Sequence, residues 1–431
     1  MSGKSSLFLV IGFSMLFMIF GRNFNNMAYD TLDNFTRYYY KAKAHSLALA
    51  GVNLISNQIW LNQGFNTPTT TFNFDGGTIT VTLSTVNAIL NMKTLTSVGK
   101  MSITNDKLIG DDSVWTSTIR EVIQPSSFCK FAYFSDVEPS SIYWGGKDTL
   151  WGPFHTNGNM QFSGNSIFHS TVSYGGTMSK NGYTPLFYST VYPNNTQAMP
   201  THGVDTVAAH ATAGATFTGT STQNQLYLDF RGDSVRYRWN NTGSYTYKLA
   251  STFATAGVIY GSGVDFHIKG TIKGRYTVGA NPNSTNAYGG DVYIEDNLKY
   301  NTNPITNSAS TDMLGIVAKN DIIISDVAYS PPHNPVNLGI TIQAAMFAQS
   351  GSFYVQNYDR TTSTPIGEYR GTIFLYGGIT QETRGAVGTG SGSTVTTGYS
   401  KSYKYDPRLG YSYPPAYPGC GTFQITSWYE E

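Results

Sequence analysis

Fourteen consecutive residues near the start of the chain, Leu7–Phe20, carry no charge, and Ser14 is their only polar member. Lys4 precedes the run and Arg22 follows it; no later stretch is comparably apolar. A spanning helix usually needs ~20 residues, and a run of this length also fits the apolar core of a secretory signal. The residues after Phe20 read GRNFNNMA, with no small-x-small cleavage site. Phe24, Met27, Ala28 and Tyr29 extend the apolar character, so a short or tilted span is the alternative. The side chains that would form the anchor are Leu7, Phe8, Leu9, Val10, Ile11, Phe13, Met15, Leu16, Phe17, Met18, Ile19 and Phe20.

No proline occurs before Pro68, and apolar positions recur at helical spacing through Ala28, Leu32, Phe35, Tyr39, Ala42, Leu49, Val52, Ile55 and Ile59. One helix from about Ser6 to Gln63 would be roughly 85 Å long at ~1.5 Å per residue. Its first part would sit in lipid. Its second would sit in water with one greasy stripe.

Ser2-Gly3-Lys4 ahead of the apolar run, together with the small-residue stretch Ala42–Gly51 (AKAHSLALAG), resembles the N-terminal helix of type IV pilin-like proteins, especially PilX-type minor pilins. The resemblance implies cleavage by a prepilin peptidase after Gly3, leaving Lys4 at the edge of the anchor. It implies a helix that holds the subunit in the membrane and packs against other subunits or the assembly machinery. Major pilins of that family carry Glu as the fifth mature residue; Phe8 stands there in this chain, which argues against regular assembly as a major subunit. A plain signal anchor without a filament is the competing reading.

Charged residues make up 12% of the 431, about half the usual ~25%. Lys and Arg number 27 and Asp and Glu 26, so no basic face is on offer to neutralise phosphates, which argues against nucleic acid as a partner. The mix of 45 Gly and 31 Tyr with many Ser, Thr and Asn is that of an extracellular β-rich protein and is too aromatic for disorder. Once exported, the two cysteines, Cys129 and Cys420, could form a disulfide; two unrelated buried thiols are the alternative.

After the helix (residues 1–63), residues 64–130 read as a small antiparallel unit packing on it. Gln63–Thr71 is a linker, Phe72–Leu83 a hairpin turning at Gly76-Gly77, and Met101–Lys107 and Ser117–Ile123 further strands. From Phe131 short alternating runs follow one another, broken by Gly, Asn and Asp, as in Gly257–Ala280, Gly289–Tyr300 and Leu314–Tyr329. Such runs without two-residue hairpin turns point to a right-handed parallel β-helix, a solenoid, over residues 131–400. A β-sandwich is the competing architecture. Thr177–Gly243 fits poorly and reads as a large insertion. Residues 401–431, rich in Tyr and Pro, read as a cap over the solenoid's open end.

Leu150–Asn159, Asp312–Asp321, Ala344–Tyr358, Leu375–Gly388 and Gly398–Leu409 followed by Pro414-Pro415 resemble, as a set, a family of bacterial surface proteins of unknown function. That family joins a pilin-like N-terminus to a β-helical ectodomain, and the resemblance implies fold and location without any catalytic residue.

Parallel β-helices often house polysaccharide lyases and hydrolases, so acids and bases were weighed: Asp291, Glu295, Asp296, Asp321, Asp326, His155, His267, Lys269, Lys273, Arg275 and Arg384. Asp291, Glu295 and Asp296 sit close enough in sequence for two carboxylates to share a strand face. The simpler reading is that these aspartates cap turns through their own backbone. No GxSxG, P-loop, dinucleotide fingerprint, HExxH or EF-hand loop is present, so no cofactor and no metal is expected. Arg231-Gly232-Asp233 matches an adhesion tripeptide, at a length where chance matches are ordinary, within an apparently continuous strand.

The sequence therefore predicts a non-enzymatic, membrane-anchored, pilin-like surface protein of the cell envelope or of an extracellular filament, serving a type IV pilus-like or secretion-related appendage. Two alternatives stand beside it: a β-helix carbohydrate-active enzyme, and an adhesin that binds surface polysaccharide.

Overall fold

The structure, a computed structural model, describes residues 3–62, 65–87, 92–103, 113–146, 148–211, 215–285, 288–329, 339–361, 369–391 and 394–431. It is mainly β, with one long N-terminal helix and an antiparallel sheet. The chain divides into two compact units: Met1–Gln124 with Phe423–Glu431, and Pro125–Thr422.

In the first unit, helix α1 runs unbroken over Gly3–Leu61. The hydroxyls that could compete with its ladder are absorbed by it: Ser14, Thr31, Thr36 and Ser46 each donate to the carbonyl four residues back. Strands β1 (Thr69–Phe74), β2 (Gly77–Asn87), β3 (Met92–Ile103) and β4 (Ser113–Ser127) pair antiparallel in order, and the C-terminal strand Gly419–Glu430 adds itself beside β4. The hairpin turns one residue earlier than the sequence suggests. Asp75 and Gly76 occupy it at φ 48° and 75°, the pair of positive angles that a tight hairpin requires. Of the strand expected at Met101–Lys107, residues 101–103 close β3 and the rest lie outside the described residues.

The second half of α1 packs on this sheet. Ala44, Leu47, Ile55 and Ile59 share a core with Ile79, Val81, Leu83, Leu95, Met101 and Ile123. Small residues set the approach: a Cβ on Gly99 would stand 2.1 Å from the Ala44 carbonyl oxygen, and one on Gly51 would meet Ser97 Oγ at 2.3 Å. The AKAHSLALAG stretch is thus the contact face between helix and sheet.

In the second unit, strand follows strand in parallel register. One buried column runs Ile259, Val278, Ile316, Met346, Ile379, Tyr133, Phe154 and Val172, each opposite the next across a parallel pair. A second runs Leu226, Phe266, Val292, Ile322 and Phe353. Parallel pairing of this extent is not the hairpin pairing of a two-sheet sandwich.

The order along the ladder is not the order along the chain. The first strand, Tyr133–Val137, stacks on Tyr369–Thr383, in the ladder's middle. Phe154–Thr156, Val172–Tyr174 and Val191–Tyr192 then build toward one end. Helix α2, Gly203–His210, lies against the strands Val258–Ser262, Arg275–Asn281 and Met313–Ala318. Beyond it Thr216–Thr218 joins Val258–Ser262, and the later strands build back toward the middle.

Thr177–Gly243 is therefore not one insertion. Leu186–Phe187 and Val191–Tyr192 belong to the ladder, and so does Gln225–Gly232, with α2 between them as the return path. Tight antiparallel turns, absent from the sequence reading, do occur. Gln225–Gly232 folds back on Ser234–Trp239, which pairs in turn with Thr246–Leu249, and Gly388–Ser391 pairs antiparallel with Thr394–Tyr405.

The C-terminal stretch is not a cap over an open end. Thr277 Oγ1 donates to the Pro415 carbonyl, Arg275 donates to that of Tyr413, and Pro414 and Tyr417 fill the space over Gly315. The prolines and tyrosines thus line the side of the ladder, and the last residues form a strand of the small sheet.

Candidate functional site

Two regions carry the sequence's candidate functional residues. The first is the exposed part of α1. Every large side chain of the predicted anchor, from Leu7 to Phe20, is 43–76% exposed. By length and composition α1 could cross a membrane. Its backbone is satisfied internally, and the one polar side chain of the run, Ser14, bonds to Val10 O at 2.8 Å. Burying an exposed Leu, Ile, Phe or Met is worth ~1.5–3 kcal/mol each, so twelve such side chains strongly favour an apolar environment. Gly3 is the first helical residue and Lys4 follows it on the exposed helix.

Exposure does not stop at Phe20. Phe24, Met27, Leu32, Phe35 and Tyr39 are 42–72% exposed. At ~100° per residue, Ala28, Leu32, Phe35 and Tyr39 lie on nearly the opposite face from Ala44, Ala48, Val52, Ile55 and Ile59. The single stripe read from the sequence is therefore two. The later half is covered by the sheet; the earlier half is bare, and Leu49 stays partly exposed with it. A stripe spaced near 3.5 residues slides by ~20° per heptad around a 3.6-residue helix, which is how one pattern came to span two faces.

The second region is the outward side of three neighbouring ladder strands: Gln225–Gly232, Asp265–Ile272 and Val292–Tyr300. Their register slips between Ile268 and Gly270. Ile268 faces Ile294 but Gly270 faces Leu298, so Glu295, Asp296 and Asn297 bulge out. Beside the bulge is a groove lined by Asp229, Arg231, Arg236, Lys269, Thr271, Asp296, Asn297 and Lys299. His267 sits next to it, stacked between Tyr227 and Tyr293 at 4.3 and 4.6 Å, with Nδ1 2.5 Å from Glu295 Oε1. Its Nε2 is buried without a partner.

Of the acids and bases weighed from the sequence, the structure gathers His267 with Glu295, and Lys269 with Asp296. The others it disperses into structural bonds. Asp265 Oδ1 accepts from Asp291 N, Asp291 Oδ1 from Asp321 N, and Asp321 Oδ1 from Ser352 N, each at 2.7–3.0 Å. This column of aspartates caps successive ladder corners. Burial is the first reason that Asp291 is pushed up to about 6, with Asp265 and Asp321 adding like charge.

Asp326 binds Arg370 at 3.1 Å. Arg384 pairs with Glu138 at 2.9 Å under the ring of Trp144, both side chains almost fully buried. His155 bonds Ser173 and Asn157, and Lys273 bonds Asp233. Among the described residues, no three His, Cys, Asp or Glu side chains cluster as a metal site.

Cys129 and Cys420 are free thiols in this structure, so the bridge weighed from the sequence is not formed here. Burial pushes the Cys129 thiol well up, and the nearby Cys420 adds to the shift. Arg231-Gly232-Asp233 turns out to be the tight turn between two antiparallel strands, with Arg231 tied to Asp229 and Asp233 to Lys273.

The sequence reading missed Asp229, Arg236, Asn297 and Lys299. The available signal was the run Glu295-Asp296-Asn297 between the core residues Ile294 and Leu298. Strict alternation would have buried Asp296, so three polar residues there mark a bulge.

No family model matches the chain, and no curated protein matches it. The resemblance to a β-helical surface-protein family thus has no matching family model behind it. Among solved structures, the competence-associated pilin ComZ from Thermus thermophilus is similar, at 12% identity over 91% of this chain and 98% of that one. The TM-score is 0.34, too low to establish a shared fold.

Proposed function

We propose that this chain is a non-enzymatic, pilin-like subunit or accessory component of a type IV pilus-like or secretion-related appendage, anchored in the cell membrane by α1. The observation that carries this reading is the division of α1. One continuous helix has a second half locked onto a sheet by Gly51, Gly99 and Ala44 and a first half with its apolar side chains bare. In this reading Leu7–Phe20 sits in lipid, a prepilin peptidase cuts after Gly3, and the bare stripe Ala28–Tyr39 packs on other subunits. The parallel ladder of the second unit is read as a right-handed β-helix. A structural role is supported by the engagement of Asp291, Asp321, Asp326, His155 and Arg384 in bonds that hold corners and core together.

Cell fractionation with N-terminal sequencing tests it. The protein should resist alkaline extraction from membranes, be cut by protease added to intact cells, appear in sheared surface material, and begin at Lys4. A soluble cytoplasmic protein, or an N-terminus beyond Phe20, would overturn the reading.

A further inference from the structure

The groove beside the Glu295–Asn297 bulge plays no part in anchoring or assembly. Its chemistry is specific. Four cations, Arg231, Arg236, Lys269 and Lys299, face two carboxylates, Asp229 and Asp296. The carboxylate of Asp229 is already taken, since its Oδ2 accepts from Arg231 Nε at 3.0 Å and from Arg236 Nε at 2.6 Å. Lys269 and Lys299 have no ion-pair or hydrogen-bond partner among the described residues, and Lys299 is exposed.

Thr271 and Asn297 place hydroxyl and amide groups between the cations. A second hollow, lined by Arg231, Gly232, Thr271 and Asn301, shares residues with the first, so the concavity runs on past one sugar's width. Aromatic faces flank it: Tyr227 lies under Arg238 at 5.2 Å, and Tyr245 lies under Arg236 at 4.1 Å. The His267–Glu295 bond ties the bulging strand to its neighbour and so holds the groove open.

We propose that this groove binds an acidic polysaccharide, with Lys269 and Lys299 taking its carboxylate or sulfate groups and Thr271, Asn297 and Asp296 its hydroxyls. A phosphate-rich strand would meet repulsion from Asp229 and Asp296 at the groove floor. A hydroxyl-rich chain turns those same carboxylates into acceptors. The inference is independent of the anchoring role, because the groove lies wholly within Pro125–Thr422.

The test is retention of the full-length protein, in detergent, on immobilised polygalacturonate, with chondroitin sulfate, neutral dextran and single-stranded DNA as further arms. Wild-type protein should bind polygalacturonate or chondroitin sulfate, release as salt rises, and ignore dextran. Lys269→Ala with Lys299→Ala should weaken binding about tenfold, the effect of losing roughly one charge-assisted contact. The exposed single variant Lys299→Glu guards against misfolding and should also weaken it, whereas Lys180→Ala, distant in the ladder, should leave it unchanged. No retention on either acidic glycan, equal retention of wild type and both groove variants, or preference for DNA would each overturn the proposal. None of these outcomes touches membrane localisation, which is read separately.

Discussion

At the scale of single residues, the molecule depends on a few positions where no other side chain fits. Gly99 is one: its missing Cβ would sit 2.1 Å from Ala44 O and 2.5 Å from Ala48 N, both backbone atoms that cannot swing away. Gly99→Ala should destabilise the helix–sheet unit by ~1–3 kcal/mol or more, measured as a lower denaturation midpoint of the detergent-solubilised chain. Gly12→Ala is the contrast, since nothing lies within 4 Å of that position, and it should leave the midpoint unchanged or raise it. Arg384 and Glu138 are a second such place. Arg384→Met would strand a buried carboxylate at a cost of ~3–5 kcal/mol, and adding Glu138→Gln should recover much of the loss.

The aspartate column gives a pH signature. Asp291 in the folded chain titrates near 6, above its ordinary 3.8, so the folded state holds its proton where the unfolded chain has lost it. Stability from this group is greatest at acid pH and falls as pH rises from about 4 through 6. Asp291→Asn keeps an acceptor for the Asp321 amide and should flatten that fall, read from unfolding midpoints across the range.

At the scale of elements, legibility followed burial pattern. The helix was plain from its spacing and the absence of proline, and the hairpin was found within one residue because Ile79, Val81 and Leu83 alternate. What the sequence hid were partnerships between distant segments. Nothing local in Gly419–Glu430 says that it will pair with β4, and nothing local in Tyr133–Val137 says that it will stack on Tyr369–Thr383. Alternation tells which side chains turn inward and is silent on which strand lies next door. The groove was hidden for the same reason. It needs a bulge in one strand and cations from two others, and only Lys269 and Asp296 were marked beforehand.

The C-terminal strand covers the edge of β4 through the paired amides and carbonyls of Thr118 and Glu431 and through the Thr426 Oγ1 bond to Val122 O. Truncation after Thr422 would leave that edge open. The truncated chain is expected to form concentration-dependent aggregates in light scattering where the full chain does not.

At the scale of the whole molecule, the chain builds two units and commits different residues to each. Residues 1–124 set a bare apolar helix against a small sheet that accepts the chain's last strand. Residues 125–422 build a parallel ladder that the chain enters in the middle, extends to one end, and completes from the other. This route brings the ladder's first and last strands together, at Tyr133–Val137 and Tyr369–Thr383, and the buried Glu138–Arg384 pair joins the two segments there. Nothing in the ladder needs the exposed part of α1 for its own packing, so that part is available for lipid and for neighbours.

The most direct test of the account places a photo-crosslinking phenylalanine analogue at Phe35, on the bare stripe, and at Ile55 on the covered face, followed by irradiation of intact cells. The account predicts that position 35 yields a ladder of crosslinked copies of this chain or of pilin-like partners, while position 55 yields only crosslinks within the chain. Monomer alone from position 35, with no intermolecular product, would contradict it.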